Sequence, residues 1–302
     1  MTFIYSAGYA PNFGRHVFPV DKYRLLYERL LEYGIPPVAF HEPQPASWDD
    51  IALVHTPEYI DDLLHARRTE RTMRSELPVN KHIIDFFTLT AGGTVLAAEL
   101  ALNHGWAGNL SGGFHHAFPE HAEGFCYIND IAVAIRAMQR SGKITAAAVI
   151  DCDLHQGNGT AVIFHNDPSV FTYSIHQFLQ YPTKEKSDQD VHLEDFTLDE
   201  EYNAHLRNDV PRILEQQQPE LVMYLAGADP YFDDLLGGLE LTIDGLAERD
   251  VIVLSECWKR NIPVVITLAG GYARNVNDVV TIHANTFIAA MKLFQSEPDS
   301  SR

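Results

Sequence analysis

Short β-rich apolar runs alternate with amphipathic helical stretches along most of this chain. Thr2–Tyr5 has the composition of a strand. Asp21–Tyr33 predicts a helix, because Tyr23, Leu26, Leu30 and Tyr33 recur on one face. Ser47 and Thr56 stand where helix N-caps belong, the second followed by Pro57 at a first helical position. Ile83–His104, rich in Ala and Leu, predicts a long helix. Five apolar runs follow: Trp106–Leu110, Ala146–Ile150, Val170–Ile175, Leu221–Leu225 and Val264–Leu268. Helical stretches at Ile128–Gln139, Glu200–Gln217 and Ile243–Arg260 separate most of them. Repeated β-α units of this kind predict an α/β fold around a mostly parallel sheet. No internal repeat, low-complexity tract or linker breaks the pattern. The expectation is therefore one domain over 1–295, with 296–302 a disordered tail.

With 302 residues, 46% of them hydrophobic, the chain can bury a large core. Forty-one acidic against 22 basic residues give a net charge of −19. Such a balance argues against binding a phosphate backbone, which needs Lys and Arg. It suits a cationic partner through its long-range field, or serves solubility alone. The three cysteines, Cys126, Cys152 and Cys257, show no C-x-x-C spacing, so neither a disulfide framework nor a cysteine zinc knuckle is indicated. The opening MTFIYSAGYAPNFG lacks a basic stretch followed by an apolar one, and no apolar run reads as long enough to span a membrane. The expectation is a cytoplasmic protein without membrane or nucleic-acid partners. Its oligomeric state is not indicated.

The five apolar runs end in residues capable of chemistry, and parallel sheets bind ligands outside the carboxyl ends of their strands. Asp151, Asp153 and His155 form D-x-D-x-H. On an extended segment they would point to one side and converge on a metal, or they simply cap the next helix. Asp229, in Ala-Gly-Ala-Asp-Pro, completes a set of two carboxylates and one imidazole, although Asp-Pro is also ordinary turn chemistry. Three protein ligands with an open position is the arrangement of a catalytic zinc. Two carboxylates and one histidine also accept iron(II). His115 and His116 follow Gly112-Gly113 and suit proton transfer near neutral pH, or are two unrelated histidines among 15. Tyr272, after Gly270-Gly271, can donate to a developing oxyanion or pack over its loop. Phe125 lines a pocket or is a buried aromatic at a helix start.

Together, Gly112–His116 (GGFHH), Gly124–Asp130 (GFCYIND), Asp151–Gly159 (DCDLHQGNG), Ala226–Asp229 (AGAD) and Gly270–Tyr272 (GGY) resemble the zinc-dependent histone deacetylase family, in its order and spacing, from about Tyr5 to Phe294. Gln156–Gly159 and Leu236–Leu239 look most like its class IV branch and the bacterial histone-deacetylase-like amidohydrolases. The resemblance implies a single-domain, three-layer αβα arginase/deacetylase-like fold and hydrolysis of acyl-lysine in proteins or peptides. It implies zinc on Asp153, His155 and Asp229, and His116 as general base and then acid. His115 would pair with Asp151, and Tyr272 would polarise the amide carbonyl. Gly124 would offer its carbonyl to the substrate, Phe125 and Tyr181 would flank the lysine chain, and Leu236 would lie at the rim. A potassium site would use Asp151 and Ser174 with main-chain oxygens of Asp153 and His155. Asn158 stands where many members of the family have Asp, and Lys22 where Arg is usual, near the acyl end of the pocket. The rim acid of the family has no clear counterpart, Glu76 being the nearest candidate. Three other functions fit the same residues. One is an acetylpolyamine hydrolase and another a non-catalytic acyl-lysine-binding protein. The third, a two-metal ureohydrolase, is disfavoured by Gly227 and Asn158.

Overall fold

The structure, a computed structural model, describes residues 2–295. The tail expected at 296–302 lies outside the described residues. Eight strands form one sheet: β1 (Phe3–Ile4), β2 (Phe40–His41), β3 (Trp106–Asn109), β4 (Ala147–Asp151), β5 (Val170–Gln177), β6 (Gln189–Leu193), β7 (Leu221–Leu225) and β8 (Val264–Thr267). Their order is β2-β1-β3-β8-β7-β4-β5-β6, and every neighbouring pair is parallel. The helices are α1 (Asp21–Glu32), α2 (Trp48–Ile51), α3 (Pro57–Leu64), α4 (Glu70–Met73), α5 (Lys81–His104), α6 (Asp130–Arg140), α7 (Asn158–Ile163), α8 (Asp199–Gln217), α9 (Ile243–Lys259) and α10 (Val276–Gln295).

Alternate strand residues point to opposite faces of the sheet, so continuous apolar strands build two cores. Val149, Met223 and Val265 join one core with Ala97 and Ala101 of α5 and Ile131 and Ile135 of α6. Ile150, Tyr224 and Ile266 join the other with Leu26 of α1, Leu206 of α8, Leu246 of α9 and Phe287 of α10. The sheet is thus the middle of three layers, as expected. Ser47 caps α2 by accepting the Asp50 N–H at 3.1 Å, whereas Thr56 precedes Pro57 without a side-chain cap bond.

Two sequence expectations change. Helix α5 is, by length and composition, apolar enough to cross a membrane, although no apolar run signalled it. Its apolar residues are spread around Thr88, Thr90 and Thr94, and 61% of the most apolar window is buried against the rest of the fold. The extended geometry assumed for D-x-D-x-H also fails: β4 stops at Asp151, and Asp153 and His155 lie on the loop beyond it.

Candidate active site

The loops after β3, β8, β7 and β4, four strands adjacent in the sheet, meet at one end of it. The loop after β3 carries His115 and His116. Asp130, at the start of α6, holds it by accepting the N–H groups of Gly113 (3.1 Å) and Phe114 (2.8 Å). Both imidazoles are buried, with ring centroids 4.1 Å apart. They face different partners: His115 Nδ1 lies 2.7 Å from Asp151 Oδ2, and His116 Nδ1 lies 2.8 Å from Asn158 Oδ1. Burial opposes charge on His115, but Asp151 and Asp153 outweigh it and lift its pKa to about 9. His116 moves the other way. Burial and the neighbouring His115 and His155 hold it well below its ordinary value, which favours the neutral imidazole.

Asp153, His155 and Asp229 each direct one donor atom into a common space, all within 4.8 Å of one another. Backbone amides turn the carboxylates inward. Asp153 Oδ1 accepts from His155 N (2.8 Å) and its Oδ2 from Gly270 N (2.6 Å), while Asp229 Oδ1 accepts from Leu154 N (3.0 Å). A loop folded back by its own carboxylate, not a strand period, therefore produces the convergence. His155 Nδ1 lies 3.3 Å from Asp153 Oδ1 and 3.1 Å from Asp229 Oδ2. Donors about 2.0–2.1 Å from a tetrahedral ion stand about 3.3 Å apart, so the three fit one small divalent metal. Burial and the nearby Asp153 push the Asp229 carboxyl up from its ordinary value. A Cβ on Gly227 would meet Asp229 Oδ1 at 2.7 Å and the Asp153 Cα at 2.8 Å, so no side chain fits at position 227 without displacing the two carboxylates.

Tyr272 lies at the same floor, 8% exposed. Burial, then Asp153 and Asp229, push its pKa well up, so its hydroxyl stays a donor. Asp234, which no sequence motif marked, accepts from Tyr272 N (2.6 Å) and Leu236 N (2.9 Å) and ties the floor to the rim. Above the floor opens a cavity of about 350 Å³. Phe125, Tyr181 and Leu236 line it, with Gly124, His116 and His155, and the exposed Glu76 is also among its lining residues. The Tyr181 ring stands 5.3 Å from that of His116, and Phe125 stands 6.1 Å from Tyr272.

At the floor itself lies a recess of only about 20 Å³, bounded by Phe18, Phe114, Cys126 and Ala269 together with His116, Asp153, His155 and Tyr272. Lys22 does not line it. Its ammonium sits behind Phe18 and Tyr272, 5.2 and 5.8 Å from their centroids, and donates to Ala269 O at 2.9 Å. The residues expected around potassium are partly assembled. Ser174 on β5 pairs in register with Asp151 on β4, and its hydroxyl is 2.9 Å from His176 Nδ1.

Comparison with known proteins bears on this geometry. A family model described as a histone deacetylase domain matches residues 16–287. The chain is 40% identical over 282 residues to an uncharacterized protein of Picosynechococcus sp., covering 92% of this chain and 94% of that one. It is 32% identical over 315 residues to histone deacetylase 2 of Arabidopsis thaliana, covering 99% and 81%. In structure it resembles acetylpolyamine aminohydrolase from Burkholderia pseudomallei, with a TM-score of 0.82 over 97% of this chain and 99% of that one. That pair is 20% identical, so the likeness speaks for the fold alone.

Proposed function

Since the chain belongs to the histone deacetylase family, we propose that it is a zinc-dependent hydrolase that removes acetyl groups from lysine side chains of proteins or peptides. One observation carries this reading: the Asp153–His155–Asp229 cluster presents His155 to a cavity that His116, Tyr272, Phe125, Tyr181 and Leu236 also line. The cavity suits the long apolar stem of lysine. The same donor set accepts iron(II), the alternative metal.

An amide resists attack by water at neutral pH. A divalent metal held by Asp153, His155 and Asp229 would supply a Lewis acid for the amide carbonyl and lower the pKa of water. The rest falls to side chains. His116 Nδ1 donates to Asn158, leaving Nε2 free to take a proton from the attacking water. As water adds to the carbonyl carbon, Tyr272 donates to the oxygen on which negative charge builds. His116 then returns its proton to the nitrogen, the C–N bond breaks, and acetate and the lysine amine separate. His115 is held by Asp151, whose Oδ2 lies 2.7 Å from its Nδ1. Gly124 offers its carbonyl to the substrate amide. Potassium on Asp151, Ser174 and the main chain of Asp153 and His155 would brace the β4 loop.

The recess at the floor is small and shared with His116, Asp153, His155 and Tyr272, which favours a short acyl group. The carboxylate of Glu76 at the cavity suits cationic substrates, which keeps acetylpolyamines as the second reading. Both are tested by one turnover panel, with metal content measured on the same sample. Acetyl-lysine peptides are expected to exceed octanoyl-lysine peptides at least about tenfold in kcat/KM. Turnover confined to acetylspermidine selects the second reading. Metal-loaded protein that hydrolyses no acyl-lysine peptide overturns the first.

A further inference from the structure

Glu123 belongs to none of the motifs that mark the site, yet it is one hydrogen bond from the machinery. It sits in the Glu123–Cys126 turn, closed by Cys126 N→Glu123 O at 2.8 Å and Glu123 N→Cys126 O at 3.1 Å. Its carboxylate is 12% exposed. Oε2 accepts from Arg74 at 2.6 Å and lies 3.3 Å from His121 Nε2. Oε1 accepts from Asn158 Nδ2 at 2.8 Å. On its other side, Asn158 Oδ1 accepts from Gly159 N at 3.0 Å and lies 2.8 Å from His116 Nδ1.

The two ends of an amide have nearly the same shape, so hydrogen-bond partners alone decide which way it points. Here they do so twice. An ionised carboxylate only accepts, which places the Asn158 NH₂ toward Glu123, and the Gly159 N–H only donates, which places the oxygen on the other side. The edge facing His116 is therefore an acceptor, so His116 must carry its proton on Nδ1 and present a lone pair at Nε2. The carboxylate also polarises the amide it grips and strengthens the next hydrogen bond in line. Arg74, His121 and Asn158 keep Glu123 ionised against its burial.

We propose that Glu123 is a positioning residue that fixes the tautomer of His116 through Asn158, supplying at one remove the negative charge that Asn158 lacks. The proposal rests on His116 acting as the base in the reaction above. Its chemistry predicts a reciprocal exchange. Glu123→Gln with Asn158→Asp reverses the donor and the acceptor between positions 123 and 158 and moves the charge one residue closer to His116. Every hydrogen bond in the chain survives.

The test compares the full-length, metal-loaded wild type, both single variants and the double variant on an acetyl-lysine peptide. Glu123→Gln removes the charge and one of the two groups that orient the amide, so kcat is expected to fall about tenfold or more with KM within about twofold. Asn158→Asp alone sets two carboxylates in contact and is expected to be no better. The double variant is expected to recover to within about threefold of wild-type kcat. A merely structural role would lower melting temperature and metal content without that split or that recovery. Nitrogen-15 NMR of the His116 ring gives an answer independent of turnover: protonation at Nδ1 in the wild type, a mixture of tautomers in Glu123→Ala. Wild-type kcat in Glu123→Gln, a double variant no better than the worse single one, or an unchanged tautomer in Glu123→Ala overturns the proposal. Absence of turnover in the wild type overturns the deacetylase reading and leaves the NMR arm to decide this one.

Discussion

Lys22 is wholly buried, an unusual place for an ammonium. Burial lowers its pKa from 10.5 to about 8, although Asp229, Asp153 and Asp234 pull the other way. A pKa below its unfolded value means that between about 8 and 10.5 the unfolded chain holds a proton the folded chain has released. Stability contributed by this position therefore rises with pH across that window, and the full penalty is present below it. The shift corresponds to roughly 3 kcal/mol, from which about 1 kcal/mol of hydrogen bonding to Ala269 must be subtracted. Lys22→Met is expected to stabilise the protein by about 1–2 kcal/mol near pH 7, with the advantage closing as pH approaches 10.5. Denaturant melts of both proteins at pH 7 and pH 9.5 measure it. A gap that widens with pH would mean that the ammonium stabilises the fold. The same residue shows a limit of reading side chains one at a time. The resemblance marks Lys22 as a departure from the usual Arg, but its position behind Phe18 and Tyr272, outside the recess itself, depends on packing.

At the scale of elements, the site depends on how closely the ends of β4, β7 and β8 approach. Gly270 follows β8, and a Cβ there would stand 2.1 Å from Asp229 Oδ2 and 2.7 Å from Asp153 Oδ2. Gly270→Ala would push both carboxylates off their donors while leaving the strands beneath untouched. Metal affinity is expected to fall about 10–100-fold, with kcat/KM falling in parallel and a melting temperature within a few degrees of wild type. Elemental analysis beside a thermal melt checks this, and full metal retention would contradict it. The strand bodies were readable because central parallel strands are apolar on both faces: Leu221–Leu225 has the bounds the pattern predicts. Two-residue β2 is too short to show a period, and β6 (QDVHL), at the sheet edge, carries no apolar run. Helix α10 contains Asn, Asp, Thr and His among its apolar residues and was not anticipated. In the site, the residues that touch the cavity floor stood in motifs. Glu123 and Asp234 act through hydrogen bonds to residues 35 and 38 positions away, and no local pattern encodes such a partnership.

Over the whole molecule the charge of −19 sets a field that an approaching substrate feels. At least one acidic side chain, Glu76, lines the cavity itself. A peptide rich in Lys and Arg around its acetyl-lysine would be drawn inward, and one rich in Glu repelled. Salt erases this difference. The screening length shrinks from about 10 Å at roughly 0.1 M to about 3 Å at roughly 1 M, while contacts inside the cavity change little. For a cationic peptide, kcat/KM is expected to fall about 3–10-fold between roughly 0.05 and 0.5 M NaCl, with kcat nearly constant. An acidic peptide of the same length should start lower and rise or stay level over that range. The contrast separates attraction in solution from recognition at the rim, because a specific contact to Glu76 would be lost in Glu76→Gln at every salt concentration, whereas the general field would survive that substitution. Parallel salt profiles for the two peptides would assign the acidic surface to solubility alone.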